Sequence, residues 1–293
     1  LLVANMGAID ADPPESRMPR PNKDTPENNP SPPMEKTQRG IQSIEVGGRL
    51  LTTLAEVGEP MTLKDLAQQS DMPAAKAHPY LVSFGKLGLV EQNAATSRYE
   101  LGPLALQLGL TCLRRLNPVR LGSLSASALA EQLHQTVALA VWGNAGPTIV
   151  HIEESSHPIH INMRTGTVMS LFKTATGRVF AAYLPEKVID HYIDTASHHS
   201  YAYPKSDLRP SWKAMQKTLK DIRSSGMAQV VSEPLPGINA LSAPVFDHEG
   251  HLALVITVLG PTALFDPALD GDNAGALRAC CEELSHRLGQ APG

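Results

Sequence analysis

The stretch that most constrains the fold runs from Thr62 to Leu101. It reads Thr62-Leu-Lys-Asp-Leu-Ala-Gln-Gln-Ser, a break at Ser70-Asp71, then Met72-Pro-Ala-Ala-Lys-Ala-His-Pro-Tyr-Leu and on to Gly88-Leu-Val-Glu-Gln92. Thr62 with Asp65 three residues later is a variant capping box, and Leu63, Leu66 and Ala67 share a face at helical spacing. Pro73 suits the first position of a second helix. That helix is predicted to reach about Lys86, burying Ala77, Leu81, Phe84 and Leu87. Ala74, Ala75, Lys76, His78 and Ser83 then face outward. Gly88 fits a left-handed C-terminal cap. Leu89–Gln92 and Arg98–Leu101 are two short β-runs around residues 93–97. Short helix, tight turn, second helix and hairpin form the order of a winged helix-turn-helix, whose second helix enters the DNA major groove. Pro79 lies inside that helix, where it removes a backbone donor and disfavours helical geometry at His78. A kink is expected there, with the outer turn still presented.

Upstream, residues 1–38 are polar and proline-rich without periodicity, which predicts a disordered tail. Leu1–Ala8 lacks a basic leader and cleavage pattern, so no signal peptide is expected. Ser43–Val57 places Ile44, Gly47, Leu51 and Leu54 on one helical face, with Ser43 as a cap. Gly47 and Gly48 each cost about 1 kcal/mol against Ala, a cost that makes sense where another helix packs close.

Downstream, residues 102–115 are apolar on two faces (Leu104, Leu108 and Leu116; Leu101, Leu106, Leu110 and Leu113). A helix like that between domains suggests a connector that also packs on a partner. Asn117-Pro118 breaks it, and Val119–Gln135 follows as a helix with Leu121, Leu124, Ala128 and Leu129 inward. The period then switches. Residues 136–142, 148–153 and 159–163 alternate like strands, as do 227–233, 240–246 and 251–259, the last two joined by Asp247-His-Glu-Gly250. Helices are predicted at Thr174–Pro185, Glu186–Ile193, around Trp212–Ile222 and at Asn273–Leu288. The fold class is therefore α+β: an N-terminal winged helix-turn-helix domain over 39–101, a linker helix over 102–117, and an α/β domain over 118–293.

Charge argues against a basic clamp. The net charge is −4, and residues 39–100 hold six Lys/Arg against seven Asp/Glu. Contact with double-stranded DNA must then rest on local clustering and dimerisation. Cys112, Cys280 and Cys281 have no framework spacing, which points to a reducing, cytoplasmic compartment. No apolar run approaches the roughly 20 residues that span a bilayer. The histidines, among them His157, His160, His198 and His199, have no partner at a metal-ligand spacing. There is no phosphate-binding or dinucleotide glycine loop and no nucleophile elbow, so neither metal, cofactor nor catalysis is expected. Thr174–Gly177 opens a helix whose free amides and dipole suit an anion, with plain N-capping by Thr174 as the bland alternative.

The segment from about Arg39 onward resembles the IclR family of bacterial transcriptional regulators. The blocks carrying the resemblance are Ile41-Gln-Ser-Ile-Glu45, Leu66-Ala with Gly88-Leu-Val-Glu91, Arg98-Tyr-Glu-Leu-Gly102, Thr174-Ala-Thr-Gly-Arg-Val-Phe-Ala-Ala-Tyr-Leu-Pro185, and Ala243-Pro-Val-Phe-Asp247 with Gly250 and Gly260-Pro261. The resemblance implies a winged helix, a linker helix, a GAF-like effector-binding domain, and homodimers that pair into homotetramers. It implies a small-molecule effector held at Met163, Ala175, Thr176, Gly177, Val230, Ala240, Leu241, Thr257 and Leu259. Family members that bind small acids have Asp, Cys and Ser where this chain has Val230, Ala240 and Leu259, and Arg178 replaces their usual Lys. Such a pocket suits an aromatic or alicyclic carboxylate over a tiny polar acid. DNA contacts are expected from Thr62, Ala74, Ala75, Lys76, His78 and Ser83, and from Arg98 in the wing. The alternative is a GAF-type ligand sensor whose N-terminal domain binds protein.

Overall fold

The computed structural model describes residues 40–155, 163–198 and 212–291. The N-terminal part is helical: α1 (Gln42–Val57), α2 (Leu63–Gln69) and α3 (Ala74–Leu87), then the hairpin strands β1 (Val90–Gln92) and β2 (Tyr99–Leu101). Its core gathers Leu50, Leu54, Leu66, Ala77, Leu81, Val90 and Tyr99. Met61 joins the hairpin by exchanging two backbone hydrogen bonds with Tyr99 at 2.9 and 2.7 Å. Buried Ser70 donates to Thr53 Oγ1 at 2.9 Å and fastens the α2–α3 turn to α1.

Local chemistry fixes the ends. Thr62 Oγ1 accepts from the Asp65 amide and donates to its carboxylate. Gly88 closes α3 at φ 77°, a conformation that glycine adopts without a Cβ penalty. Pro73 is the N-cap of α3, so the helix starts one residue later than expected. Pro79 does not shorten α3, which runs through it to Leu87. Its missing N–H leaves the Ala75 carbonyl without a helical donor. A Cβ at Gly47 would come 2.7 Å from Tyr80 Cδ1, whereas Gly48 faces open space. The close approach of α3 therefore explains the first glycine alone.

Four inward assignments are corrected. Leu87 is 61% exposed and Ile44 70% exposed; α1 buries Gly47, Leu50, Thr53 and Leu54. Leu124 and Ala128 also face out of their helix. Each apolar stripe is wide enough for two rotations, and the partner surface chooses.

The connector is α4 (Pro103–Arg115), which buries none of its residues. Asn117 caps the following α5 (Pro118–Leu133) by accepting from the Arg120 amide. Beyond it lies a five-stranded antiparallel sheet ordered β4-β3-β7-β6-β5. Its strands are β3 (Thr136–Gly143), β4 (Gly146–Glu153), β5 (Ala228–Val231), β6 (Ile238–Phe246) and β7 (Leu252–Pro261). One face packs on α5 and α9 (Asp272–Arg287) through Val137, Leu139, Leu241, Val245, Ile256 and Val258. The other packs on α6 (Ala175–Tyr183), α7 (Glu186–His198) and α8 (Trp212–Ser225) through Ala138, Ala140, Val230, Val255 and Leu259. The strand expected over 159–163 falls mostly outside the described residues, as do His157, His160 and His199; Met163 is irregular. No helix among the described residues is long and apolar enough to cross a membrane.

Candidate functional site

The helix pair offers the first candidate surface. Ala74, Ala75, Lys76 and His78 are exposed on the first turns of α3, and Ser83 is exposed two turns later. Ser83 Oγ donates to the Pro79 carbonyl at 2.9 Å, so its hydroxyl hydrogen is engaged within the helix. Thr62 sits half-buried at the start of α2, using its oxygen as a cap. Arg98 donates through Nη1 to the Pro60 carbonyl at 2.9 Å, which anchors the wing and leaves its other donors outward. Residues 75, 79, 82, 83 and 86 lie opposite the buried Ala77–Leu81 face at helical spacing. The outward stripe thus includes Val82 and Lys86, both exposed and both overlooked in the sequence reading. A helical projection centred on Ala77 and Leu81 would have found them.

The second candidate is a cavity of about 250 Å³ between the sheet and the start of α6. Met163, Ala175, Thr176, Val230, Ala240, Thr257 and Leu259 all line it. Two expected residues do not. Leu241 is fully buried on the opposite face, because successive strand residues point to opposite sides and its neighbour Ala240 takes the cavity side. Gly177 lies behind the wall, and its amide already donates to Thr174 Oγ1 at 3.0 Å. The capping role of Thr174 and an anion site are therefore not alternatives. Thr174 occupies the third amide, while those of Ala175 and Thr176 have no partner among the described residues. Both residues are at most 2% exposed.

Behind the amides runs a chain of buried hydroxyls. Thr176 Oγ1 lies 2.8 Å from Thr257 Oγ1, and Thr257 Oγ1 lies 2.7 Å from Ser242 Oγ. Three hydroxyl hydrogens serve two bonds. If Ser242 pointed its hydrogen elsewhere it would leave a buried donor unsatisfied. The spare hydrogen therefore falls to Thr176 or Thr257, both of which face the cavity. The remaining wall is mostly apolar. Arg178 does not enter it: Nε donates to the Phe172 carbonyl at 2.9 Å and Nη1 to that of Gln229 at 3.4 Å. Burial lowers the Arg178 pKa, and the charge of Glu233 acts the other way.

Other clusters do less. Asp247, Glu249 and His251 bring ligand atoms within 4.8 Å of one another in the exposed β6–β7 hairpin, a grouping that linear spacing concealed. Asp247 Oδ1 there accepts the Glu249 and His251 amides at 2.9 Å, an intraloop role. Ser127 and His151 both bond to Glu153 Oε1, at 2.6 and 2.8 Å. With the carboxylate between them, the histidine is not positioned to deprotonate the serine.

Comparison with known proteins agrees with this architecture. Residues 43–94 match the IclR helix-turn-helix domain, and residues 112–286 match the family "Bacterial transcriptional regulator IclR C-terminal". The chain is 25% identical over 258 residues to the HTH-type transcriptional regulator BhcR of Paracoccus denitrificans, covering 86% of this chain and 88% of that protein. It is 27% identical over 254 residues to the glycerol operon regulatory protein of Streptomyces coelicolor, covering 86% and 98%. The crystal structure of Pseudomonas aeruginosa HmgR aligns with a TM-score of 0.77 at 34% identity, over 86% of this chain and 100% of that one. With its helix-turn-helix and the larger C-terminal domain both matched, the chain belongs to the IclR family of bacterial transcriptional regulators.

Proposed function

We propose that this regulator binds double-stranded operator DNA as a homodimer or homotetramer and that an aromatic or alicyclic carboxylate controls it. The observation that carries the effector reading is the pair of amides of Ala175 and Thr176, which have no partner among the described residues and lie in a cavity whose other described walls are mostly apolar. Helix N-terminal amides and the helix dipole favour an anion, while Val230, Ala240 and Leu259 favour an apolar body. Calorimetry with glyoxylate and with benzoate-sized aromatic acids tests it. Binding of aromatic acids is expected, and tight binding of glyoxylate alone would sink the reading.

On the DNA side, α3 enters the major groove with Ala74, Ala75, Lys76, His78 and Ser83. Arg98 meets phosphate, and Thr62 lies at the α2 terminus beside the backbone. The near-neutral N-terminal domain makes a dimer necessary for useful affinity. Lys76→Ala should weaken operator binding and reduce its salt slope by about 1, measured by fluorescence anisotropy across salt concentrations. An unchanged slope would count against this docking.

A further inference from the structure

We propose that Glu233 is a specificity-determining residue of the cavity, selecting a monocarboxylate with a hydrogen-bond donor at its far end and rejecting dicarboxylates. The inference rests on the carboxylate reading above and adds the chemistry of the opposite end of the ligand. Among the described lining residues, Glu233 is the one ionisable side chain. It belongs to the turn after β5 and is exposed at the cavity edge. Its carboxylate makes no hydrogen bond or ion pair among the described residues. Arg178, whose charge reaches Glu233, directs its guanidinium at the carbonyls of Phe172 and Gln229.

Strand register separates the two poles. Thr176 bonds Thr257, and Thr257 pairs with Ser242 on β6. Ile238 lies four residues earlier on β6, and its carbonyl accepts from Ser232, the neighbour of Glu233. Four strand residues span roughly 13 Å. One end of the cavity therefore presents the amides of Ala175 and Thr176 and the spare hydroxyl hydrogen of Thr176 or Thr257. The other end presents an anion. A ligand carboxylate settles at the donors, because beside Glu233 it would meet like charge. A hydroxyl or amine at the far end would donate to Glu233 in a charge-assisted bond. A second carboxylate there would meet repulsion, and the described lining residues offer no cation to set between the charges.

Calorimetry on the full chain with three compounds of common shape tests this. They are 3-phenylpropanoate, 3-(4-hydroxyphenyl)propanoate and 3-(4-carboxyphenyl)propanoate. The hydroxyl compound should bind about fivefold tighter than the parent acid, and the dicarboxylate about tenfold weaker. Glu233→Gln, an isosteric change on an exposed loop, should bring the dicarboxylate to within about threefold of the parent by removing the like charge. A dicarboxylate that binds as well as the parent acid overturns the inference and leaves the carboxylate reading intact. So does a ranking that Glu233→Gln leaves unchanged. Failure of all three compounds to bind overturns both.

Discussion

The two faces of the C-terminal sheet use the same strands to opposite ends. On the α5–α9 side, Leu139, Leu241, Leu254 and Ile256 are fully buried in one continuous apolar core. On the α6 side, the same strands offer Ala138, Ala240, Ser242 and Thr257, and part of the space stays empty. One register step separates Leu241 from Ala240, yet one is core and the other cavity wall. A filled face stabilises the domain. A face of small and hydroxylated side chains gives up dispersion contacts and gains a place for another molecule.

The largest test of this contrast exchanges volumes between neighbours. Leu241→Ala should destabilise the protein by about 2–5 kcal/mol, since it opens a void in a packed layer. Ala240→Leu should change stability by less than about 1.5 kcal/mol, since the added methylenes enter existing space. It should nevertheless abolish binding of aromatic acids. Denaturant melts and calorimetry on both variants suffice. Equal destabilisation by the two changes would mean that the cavity side is as tightly packed as the core side.

A smaller effect tests the hydroxyl chain, the polar feature of the open face. Thr257→Val removes the central hydroxyl and strands buried Ser242, so it should destabilise by about 1–3 kcal/mol. Ser242→Ala removes an end member and leaves Thr176 and Thr257 paired, so it should cost about 1 kcal/mol. If the two variants melt alike, the three hydroxyls are not acting as a chain.

What could be read from the sequence divides along similar lines. Ends set by local chemistry were legible: Thr62 with Asp65, Gly88, Asn117-Pro118 and the Asp247–Gly250 turn each carry their reason within four residues. Strand alternation was legible too, and it puts Val230, Ala240, Thr257 and Leu259, the positions implied by the family resemblance, on one cavity, which Met163 reaches from an irregular segment. Leu241 went wrong where a neighbour pair was taken together against that alternation. The rotations of α1 and α5 were not legible, because Ile44 and Leu124 are as apolar as the residues that displaced them. The exclusion of Gly177 from the cavity was not legible, because competition for its amide depends on where the Thr174 side chain turns. Glu233 carried a misleading signal: it closes the strand expected over 227–233, but β5 ends at Val231, and only the folded chain sets Glu233 in the turn near Ile238.

The smallest effect is electrostatic and lies at the edge of the filled face. Glu153 on β4 accepts from Ser127 on α5, and His151 approaches the same oxygen. The Ser127 hydrogen bond is the main cause holding the Glu153 pKa below the ordinary carboxylate value, with the His151 bond second. A carboxylate depressed in the folded state stabilises the fold above its unfolded pKa, and that stabilisation is lost as the pH falls through the folded value. Ser127→Ala should therefore lower stability at neutral pH by under about 1 kcal/mol, because the pair is substantially solvated. The difference from the parent should shrink as the pH drops below the carboxylate range. Denaturant melts at pH 7 and at pH 3.5 measure it. A constant difference at both pH values would assign the Ser127 contribution to packing of α5 on β4 and not to the charge it stabilises.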